Sequence, residues 1–218
     1  MTLIGGIDDA GRGPVIGPLV IAGVLIHDYQ MSGVQALGVR DSKSLTAGQR
    51  EKLSKKIMLF VLKYTLIELS PIEVDKIVLE GKKLRKLNWL EAKTMAEVIE
   101  RLRPEVAYVD ASDVNEMRFA QQISEFLSGG IRIVSKHHAD VIYPVVSAAS
   151  IIAKVHRDEV IAKLRDRYGD FGSGYPSDHK TRMFLSEWIR DNGRLPDFVR
   201  KSWRTIKRLT TEGGQQRL

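Results

Sequence analysis

The sequence contains no cysteine among its 218 residues. Disulfide bonds and thiolate metal sites are therefore excluded, and a cytoplasmic location is expected. No apolar run is long enough for a transmembrane helix. The N-terminus also lacks the charged segment followed by an apolar segment that marks a signal peptide. We expect a monomer that does not bind a membrane.

The sequence has fewer acidic than basic residues. Lys and Arg number 34 against 27 Asp and Glu, which gives a formal net charge of +7. This balance favours a polyanionic partner, and nucleic acid is the usual one. Many small basic proteins bind nothing specific, so charge alone leaves both interpretations open.

The apolar pattern alternates between strand and helix periods along the chain. The predicted strands cover residues 3–7, 19–26, 61–69, 106–109 and 131–134. The predicted helices cover residues 47–59, 71 onward, 88–103, 113 onward, 144–168 and 177–191. This order predicts an α/β fold in which helices flank a mixed five-stranded sheet. The length fits one domain with a small terminal addition.

Aspartates follow three of the predicted strands. Asp8 and Asp9 end the first strand, Asp110 ends the fourth, and Asp140 lies a few residues beyond the fifth. If these strands are parallel neighbours, the carboxylates converge at one edge of the sheet. A single such Asp is usually a turn or cap residue. Four together need neutralising, and their hard oxygens suit Mg²⁺ or Mn²⁺. In a basic protein the set predicts two-metal phosphoryl chemistry.

Seven segments carry a resemblance to a known family. They are GIDDAGRGPVIGPLV (6–20), RDSKSL (40–45), AYVDASDVN (107–115), SKHHAD (135–140), PVVSAASIIAKVHRD (144–158), GSGYPSD (172–178) and VRKSWRTIKRL (199–209). In this order they resemble the type 2 ribonucleases H, ribonuclease HII, and the C-terminal part is most like archaeal members. The resemblance covers nearly the whole chain.

The resemblance implies a ribonuclease H-like catalytic domain over residues 1–193, and a C-terminal basic helix with a flexible tail over 194–218. It implies metal-dependent endonucleolytic cleavage of RNA in RNA/DNA hybrids and at single ribonucleotides in duplex DNA, as in ribonucleotide excision repair. The products would be 3′-hydroxyl and 5′-phosphate ends. The metal-binding acids of the family, which hold two Mg²⁺ or Mn²⁺ ions during catalysis, fall on Asp8, Asp9, Asp110 and Asp140.

Asp9 departs from the family pattern, which has glutamate at this position. The aspartate carboxylate reaches about 1–1.5 Å less far, whereas metal sites tolerate about 0.2 Å in bond length. A backbone shift, a bridging water or one weakly bound metal would accommodate the difference. We expect lower activity or a preference for Mn²⁺.

The resemblance also assigns substrate contacts. The main chain of Gly11-Arg12-Gly13 would contact the 2′-hydroxyl and the adjacent phosphate, and the 2′-hydroxyl distinguishes RNA from DNA. Tyr175 would pack on the sugar beside the RNA–DNA junction. From the residues alone, the first would be a tight hairpin turn and the second a packed loop aromatic.

Several basic residues are candidate phosphate contacts. They are Lys43, Lys136, Lys154 and Arg157, together with Arg200, Arg204 and Lys207 in a predicted C-terminal helix. In that helix Val199, Trp203 and Ile206 would share one apolar face. Taken singly, the first four fit a solvated surface charge better than a phosphate contact, although motif position favours a contact for Lys43 and Lys154. For the residues of the C-terminal helix the two interpretations are equal. His137 and His138 could ligate a metal, but a carboxylate-rich Mg²⁺ site does not need them, so we interpret them as structural or as neighbours of the metal ligands.

Three functions remain open from the sequence. The first is a ribonuclease HII-like endonuclease, and the second is another ribonuclease H superfamily enzyme, such as a junction resolvase or a 3′–5′ exonuclease. The third is a non-catalytic or weakened duplex-binding protein, which the aspartate at position 9 keeps open. The glycine–arginine turn directly after the first acids favours the first.

Overall fold

The computed structural model describes residues 1–39, 45–80 and 86–215. Of the predicted substrate contacts, Lys43 lies outside the described residues. The chain divides into two compact units. The first unit comprises Met1–Ala10, Val20–Glu68 and Leu87–His156, and the second comprises Gly11–Leu19, Leu69–Lys86 and Arg157–Leu218. The boundary between residues 193 and 194 stays a prediction.

One five-stranded sheet carries the fold. Its strands are β1 (Leu3–Ala10), β2 (Leu19–His27), β3 (Lys63–Leu69), β4 (Val106–Asp110) and β5 (Arg132–Lys136), in the order β3-β2-β1-β4-β5. β1 is antiparallel to β2 and parallel to β4, and β4 is parallel to β5. The predicted mixed sheet is therefore confirmed, including the parallel arrangement of the first, fourth and fifth strands.

Helices connect and flank the strands. They are α1 (Met31–Ala36), α2 (Ala47–Phe60), α3 (Pro71–Glu80), α4 (Lys86–Leu102), α5 (Glu116–Ser124), α6 (Ala139–Ile142), α7 (Pro144–Tyr168), α8 (His179–Asn192) and α9 (Arg204–Gln215). The sequence pattern did not predict the short helices α1 and α6. Within the ranges described, no helix is long and apolar enough to cross a membrane.

Sequence signals account for several helix starts. Thr46 and Gln49 form a capping box at the start of α2: the Thr46 hydroxyl accepts the Gln49 N–H, and Gln49 Oε1 accepts the Thr46 N–H at 2.9 Å. The cap of α5 is Asn115. The predicted start at Asp113 was therefore two residues too early.

The first unit has an apolar core on each face of the sheet. Alternate residues of β2 point to opposite faces. Val20, Ala22 and Val24 join one cluster with buried residues of α2 and α7. Ile21 and Leu25 join the other with buried residues of α4 and α5. Gly6 of β1 admits the first turn of α7, because a side chain at this position would overlap the Val145 main chain.

The second unit has its own apolar core. It is formed by Val15, Ile16, Ile161, Phe171, Leu185, Leu195, Val199 and Ile206. Ile16 and Val199 form an isolated antiparallel β-bridge, which joins the segment after β1 to the segment before α9. The core therefore ties together residues that are far apart in sequence.

Candidate active site

The end of β1 places two carboxylates on opposite faces of the sheet. Asp8 shares a face with Ile4 and Ala10, whereas Asp9 shares the face of Ile7. Asp8 is 5% exposed. Its Oδ1 accepts the Asp9 N–H at 2.7 Å. The Asp8 carboxylate is therefore buried in the first unit, whereas Asp9, the next residue, is half-buried.

The strand register brings Asp110 next to Asp8. β1 and β4 are parallel, and Ile7 lies opposite Val109. Asp8 and Asp110 are the next positions on these two strands, on the same face. The prediction that the strand-end aspartates meet at one edge of the sheet therefore holds for this pair.

A hydrogen bond holds the fourth carboxylate near the third. The Ala139 N–H donates to Asp110 Oδ1 at 2.7 Å. Ala139 begins α6, and His138 before it adopts a left-handed conformation with φ of 55°. This turn follows β5 and places Asp140, the second residue of α6, close to the end of β4.

The carboxylates interact electrostatically. Burial raises the pKa of Asp8 well above its usual value, and the charges of Asp9 and Asp110 raise it further. The Ser150 hydroxyl and the Asp9 N–H lower this pKa, but by less. Burial also raises the pKa of Asp110; the Ala139 N–H opposes this shift, while Asp140 adds to it. Negative charge is thus concentrated in one place at a cost that a bound cation would offset.

The donor set fits a divalent cation by its chemistry. Carboxylate oxygens are the preferred ligands of Mg²⁺ and Mn²⁺, and the raised pKa values show a charge cluster that favours neutralisation. Among the residues that the structure describes, no three His, Asp or Glu side chains form a group that could hold a metal ion as they stand. The side chains would have to turn toward an ion to enclose it.

The glycine–arginine turn belongs to the second unit. Gly11 has φ of 87°, and a Cβ there would meet the Pro18 carbonyl oxygen at 2.5 Å. Only glycine fits this conformation and this space. The turn begins directly after Ala10, so Gly11 is two residues from Asp9 along the chain.

Arg200 does not occupy its predicted position. It lies in the turn before α9, which begins at Arg204, and it is fully buried. Its guanidinium donates to the carbonyl oxygens of Gly11 at 2.5 Å, Arg12 at 2.9 Å and Gly17 at 3.1 Å. The prediction that it lies on the helix and contacts phosphate from the surface is therefore wrong, because these donors are committed to the protein's own main chain.

Tyr175 lies beside the glycine–arginine turn in the second unit. A Cβ on Gly13 would be 3.3 Å from Tyr175 Cε1. The Val15 N–H donates to the Gly174 carbonyl at 2.8 Å, which ties the tyrosine loop to the segment after the turn. Tyr175 remains 45% exposed, so its ring is available to a ligand.

The other basic candidates differ in exposure. Arg204 and Lys207 are exposed on α9, and Lys154 is half-buried on α7. Lys136 pairs with Glu116 at 3.0 Å. The two α9 residues are the candidates best placed to meet a polyanion from solution.

Sequence reasoning missed two contributors. Ser150 is buried and lowers the pKa of Asp8, although the sequence pattern did not indicate it as a site residue. Trp203 donates its indole N–H to the Gly13 carbonyl at 3.2 Å, yet it was assigned only to an apolar helix face. Sequence spacing gives no signal for either contact, because both partners are distant along the chain.

A mixed sheet with carboxylates at the ends of its parallel strands defines a ribonuclease H-like protein. The sequence matches the family model for ribonuclease HII over residues 5–206. It is 46% identical to ribonuclease HII of Thermococcus kodakarensis over 208 residues, which cover 94% of this chain and 89% of the relative. The chain therefore belongs to the ribonuclease HII family, and its class is that of an endoribonuclease of the ribonuclease H type.

Solved structures agree with this assignment. The crystal structure of ribonuclease H2 from Pyrococcus horikoshii superposes with a TM-score of 0.91 at 41% identity, covering 98% of this chain and 99% of that one. Ribonuclease HII in its complex with PCNA from Archaeoglobus fulgidus gives a TM-score of 0.84 at 44% identity, covering 94% and 96%. The ribonuclease H-like fold predicted from the sequence is confirmed.

Proposed function

We propose that this protein is a divalent-metal-dependent endonuclease that cleaves the RNA strand of RNA/DNA hybrids and duplex DNA at a single embedded ribonucleotide. The products are 3′-hydroxyl and 5′-phosphate ends. Membership of the ribonuclease HII family supports the substrate class. The observation that supports the chemistry is that Asp8 and Asp110 lie at the ends of adjacent parallel strands, where the charge of Asp110 raises the pKa of Asp8.

Asp8, Asp9, Asp110 and Asp140 are the residues that would hold Mg²⁺ or Mn²⁺. When bound, two such ions activate a water molecule and stabilise the leaving oxygen of the phosphodiester. The chain's own contribution is positional. The register of β1 and β4 sets the first and third carboxylates side by side, and the Ala139 N–H keeps the fourth near them.

Ribose recognition is assigned to the second unit. The main chain of Gly11-Arg12-Gly13 contacts the 2′-hydroxyl and its phosphate, because glycine permits close approach of a ligand to the backbone. Tyr175 packs against the next sugar and favours a deoxyribose on the 3′ side. Its exposed ring beside Gly13 supports this role.

Duplex binding is assigned to basic side chains that read charge and not sugar. Arg204 and Lys207 on α9 are exposed, and Lys154 on α7 is partly so. Lys43 is retained as a candidate from its motif. These contacts hold any duplex, and they leave the choice of cleavage site to the turn and the tyrosine.

The test uses a labelled DNA duplex with one ribonucleotide, incubated with Mg²⁺ or Mn²⁺. Cleavage at the embedded ribonucleotide, with 3′-hydroxyl and 5′-phosphate ends, is the expected result. The Asp110→Asn variant serves as control: it should bind the duplex and not cleave it. Binding without cleavage by the wild-type chain would instead support the duplex-binding alternative that the aspartate at position 9 raises.

PCNA is a proposed partner, because the Archaeoglobus fulgidus relative has been solved in complex with it. The chain alone should elute as a monomer in size-exclusion chromatography with light scattering. It should co-elute with PCNA from an archaeal source, and a variant lacking residues 210–218 should identify whether the C-terminal segment contributes. Separate elution at micromolar concentrations would contradict the partnership.

A further inference from the structure

Arg200 and Trp203 gather the carbonyl groups of the glycine–arginine turn. The buried Arg200 guanidinium donates hydrogen bonds to the carbonyls of Gly11, Arg12 and Gly17, and the Trp203 indole N–H donates one to the carbonyl of Gly13. The two side chains also contact each other, with the guanidinium carbon 5.0 Å from the tryptophan ring centre. Three consecutive carbonyls of the turn are therefore held by two side chains from the segment before α9.

This arrangement fixes the direction of the peptide N–H groups. In a trans peptide the carbonyl of one residue and the N–H of the next point in opposite directions. Since the Gly11 and Arg12 carbonyls point at Arg200, the N–H groups of Arg12 and Gly13 point away from it. Proline at position 14 has no N–H to add. The turn thus directs two adjacent N–H groups to the side opposite the guanidinium.

The guanidinium also strengthens these donors. A positive charge that hydrogen-bonds to a carbonyl polarises the peptide, which makes the N–H at its other end a better donor. An anionic phosphate oxygen or a hydroxyl oxygen is the acceptor that two such adjacent N–H groups suit. Both are present at a ribonucleotide in a duplex.

Arg200 is itself held firmly. Its N–H donates to the Val15 carbonyl at 2.8 Å. The next two N–H groups, of Lys201 and Ser202, donate to the Asp75 carboxylate at 2.6 and 2.9 Å. Asp75 lies on α3 and is 7% exposed. The segment that carries the guanidinium is therefore anchored on both sides, and the turn is oriented by a rigid support.

We propose that Arg200 is a positioning residue that sets ribose selectivity by aiming the Arg12 and Gly13 N–H groups at the substrate. This inference rests on the proposed function of the turn. Arg200 does not contact the nucleic acid. A lysine cannot replace it fully, because an ammonium is a point donor whereas the guanidinium is a planar fork that reaches several carbonyls at once.

The experiment compares binding of two labelled duplexes that differ only by one 2′-hydroxyl. Affinities are measured by fluorescence anisotropy in Mg²⁺ buffer, with the Asp110→Asn change present throughout to prevent cleavage. Arg200→Met and Arg200→Lys are compared with Leu185→Ala, which removes a buried side chain from the apolar core of the second unit without removing a hydrogen-bond donor. Cleavage by the wild-type chain is assayed separately and tests the proposed function alone.

Arg200→Met should reduce the preference for the ribonucleotide duplex about tenfold, the effect of losing one or two well-aligned hydrogen bonds. Affinity for the all-deoxy duplex should change less than about twofold, since phosphate contacts elsewhere provide it. Arg200→Lys should restore part of the preference, and Leu185→Ala should leave it unchanged. An unchanged preference in a folded Arg200→Met protein, or an equal loss on both duplexes, would overturn the proposal.

Trp203→Phe separates the aiming of the N–H groups from general support of the turn. It removes only the indole N–H that binds the Gly13 carbonyl, and the peptide that follows Gly13 ends at Pro14 and carries no N–H. Its ribose preference should therefore stay unchanged, and a loss as large as that of Arg200→Met would refute the idea that Arg200 acts by aiming the donors. If Arg200→Met does not fold, Arg200→Lys carries the test, and a full preference in Arg200→Lys would overturn the proposal.

Discussion

Asp9 carries one methylene fewer than the glutamate of the family pattern, and the strand around it leaves little freedom to compensate. β1 stays paired with β2 through this position, where Asp9 lies opposite Ile21. Asp9→Glu should therefore raise the initial rate in Mg²⁺ at least about tenfold, because a misplacement of about 1 Å can cost about 100-fold. Rates of both proteins across Mg²⁺ and Mn²⁺ concentrations provide the measurement. A slower glutamate variant in both metals would show that the site has adapted to aspartate.

Asp8 illustrates a conflict between stability and function. Its pKa is raised in the folded state, so its ionised form destabilises that state, and the penalty grows as the pH rises above the ordinary value of 3.8. Asp8→Asn should abolish cleavage and yet stabilise the metal-free protein at pH 7. We expect a rise in melting temperature of at least about 2–4 °C, the shift that about 1 kcal/mol produces in a domain of this size.

Melting curves in EDTA between pH 4 and pH 8 check this. The gap between the two proteins should narrow toward pH 4, where the wild-type carboxyl becomes protonated in both states. A wild-type protein as stable as the variant at every pH would mean that the carboxylate carries no burial penalty.

Helix α9 is the candidate for holding the duplex. Arg204 and Lys207 are exposed on it, and Arg200 is excluded because it is buried. Changing both exposed residues to Gln should weaken binding to every duplex alike. The slope of log affinity against log salt should become shallower by roughly 0.9 for each phosphate that is no longer neutralised. Titrations at several salt concentrations measure it, and an unchanged slope would remove α9 from the interface.

The start of α8 depends on Asp178. Its carboxylate accepts the N–H groups of Ser173 at 2.6 Å and Lys180 at 2.9 Å, and the Ser173 bond chiefly lowers its pKa to about 2. A lowered pKa gives stability that is present above the unfolded value and is lost as the pH falls toward 2. Asp178→Asn should therefore melt below the wild type at pH 6. The difference in melting temperature between the two proteins should shrink between pH 4 and pH 2. A difference that does not change with pH would mean that it comes from the altered side-chain shape and not from the charge of Asp178.

Local signals predicted most elements, and long-range contacts explain the failures. The capping box at Thr46, the proline start of α3 and the strand-end aspartates are each read from neighbouring residues. The predicted C-terminal helix was wrong at its start because Val199 and Trp203 have helical spacing, yet Val199 pairs with Ile16 as a β-bridge. The burial of Arg200 depends on carbonyls almost 190 positions away along the chain, and no local pattern encodes that.

Catalytic chemistry and substrate recognition are assigned to different units. The carboxylates belong to the first unit, and the glycine–arginine turn and Tyr175 belong to the second. Tyr175→Ala should therefore reduce cleavage most at a single ribonucleotide in DNA and less in a continuous hybrid, because only the first requires a deoxyribose on the 3′ side. Asp110→Asn should abolish both. Equal losses in the tyrosine variant, measured at one salt concentration, would return Tyr175 to a packing role.

The composition of the units was not readable from the sequence. Residues 11–19 and 69–86 group with the C-terminal part of the chain, and their apolar residues do not differ in type from those of the first unit. What separates them is which distant side chains they meet. Net positive charge indicated a nucleic-acid partner for the chain, but it did not distinguish the unit to which ribose recognition is assigned.

The glycine at position 6 has a consequence for how the sheet assembles. Strand pairing that slips must move by two residues to keep the same side chains on the same face. Such a slip of β1 would bring Ile4 or Asp8 to the position where the Val145 main chain leaves no room for a side chain. In a misregistered sheet α7 therefore cannot dock, because a side chain fills the space that its first turn needs. Gly6 therefore fixes the strand register, and only the correct register brings Asp8 beside Asp110 at the end of the sheet.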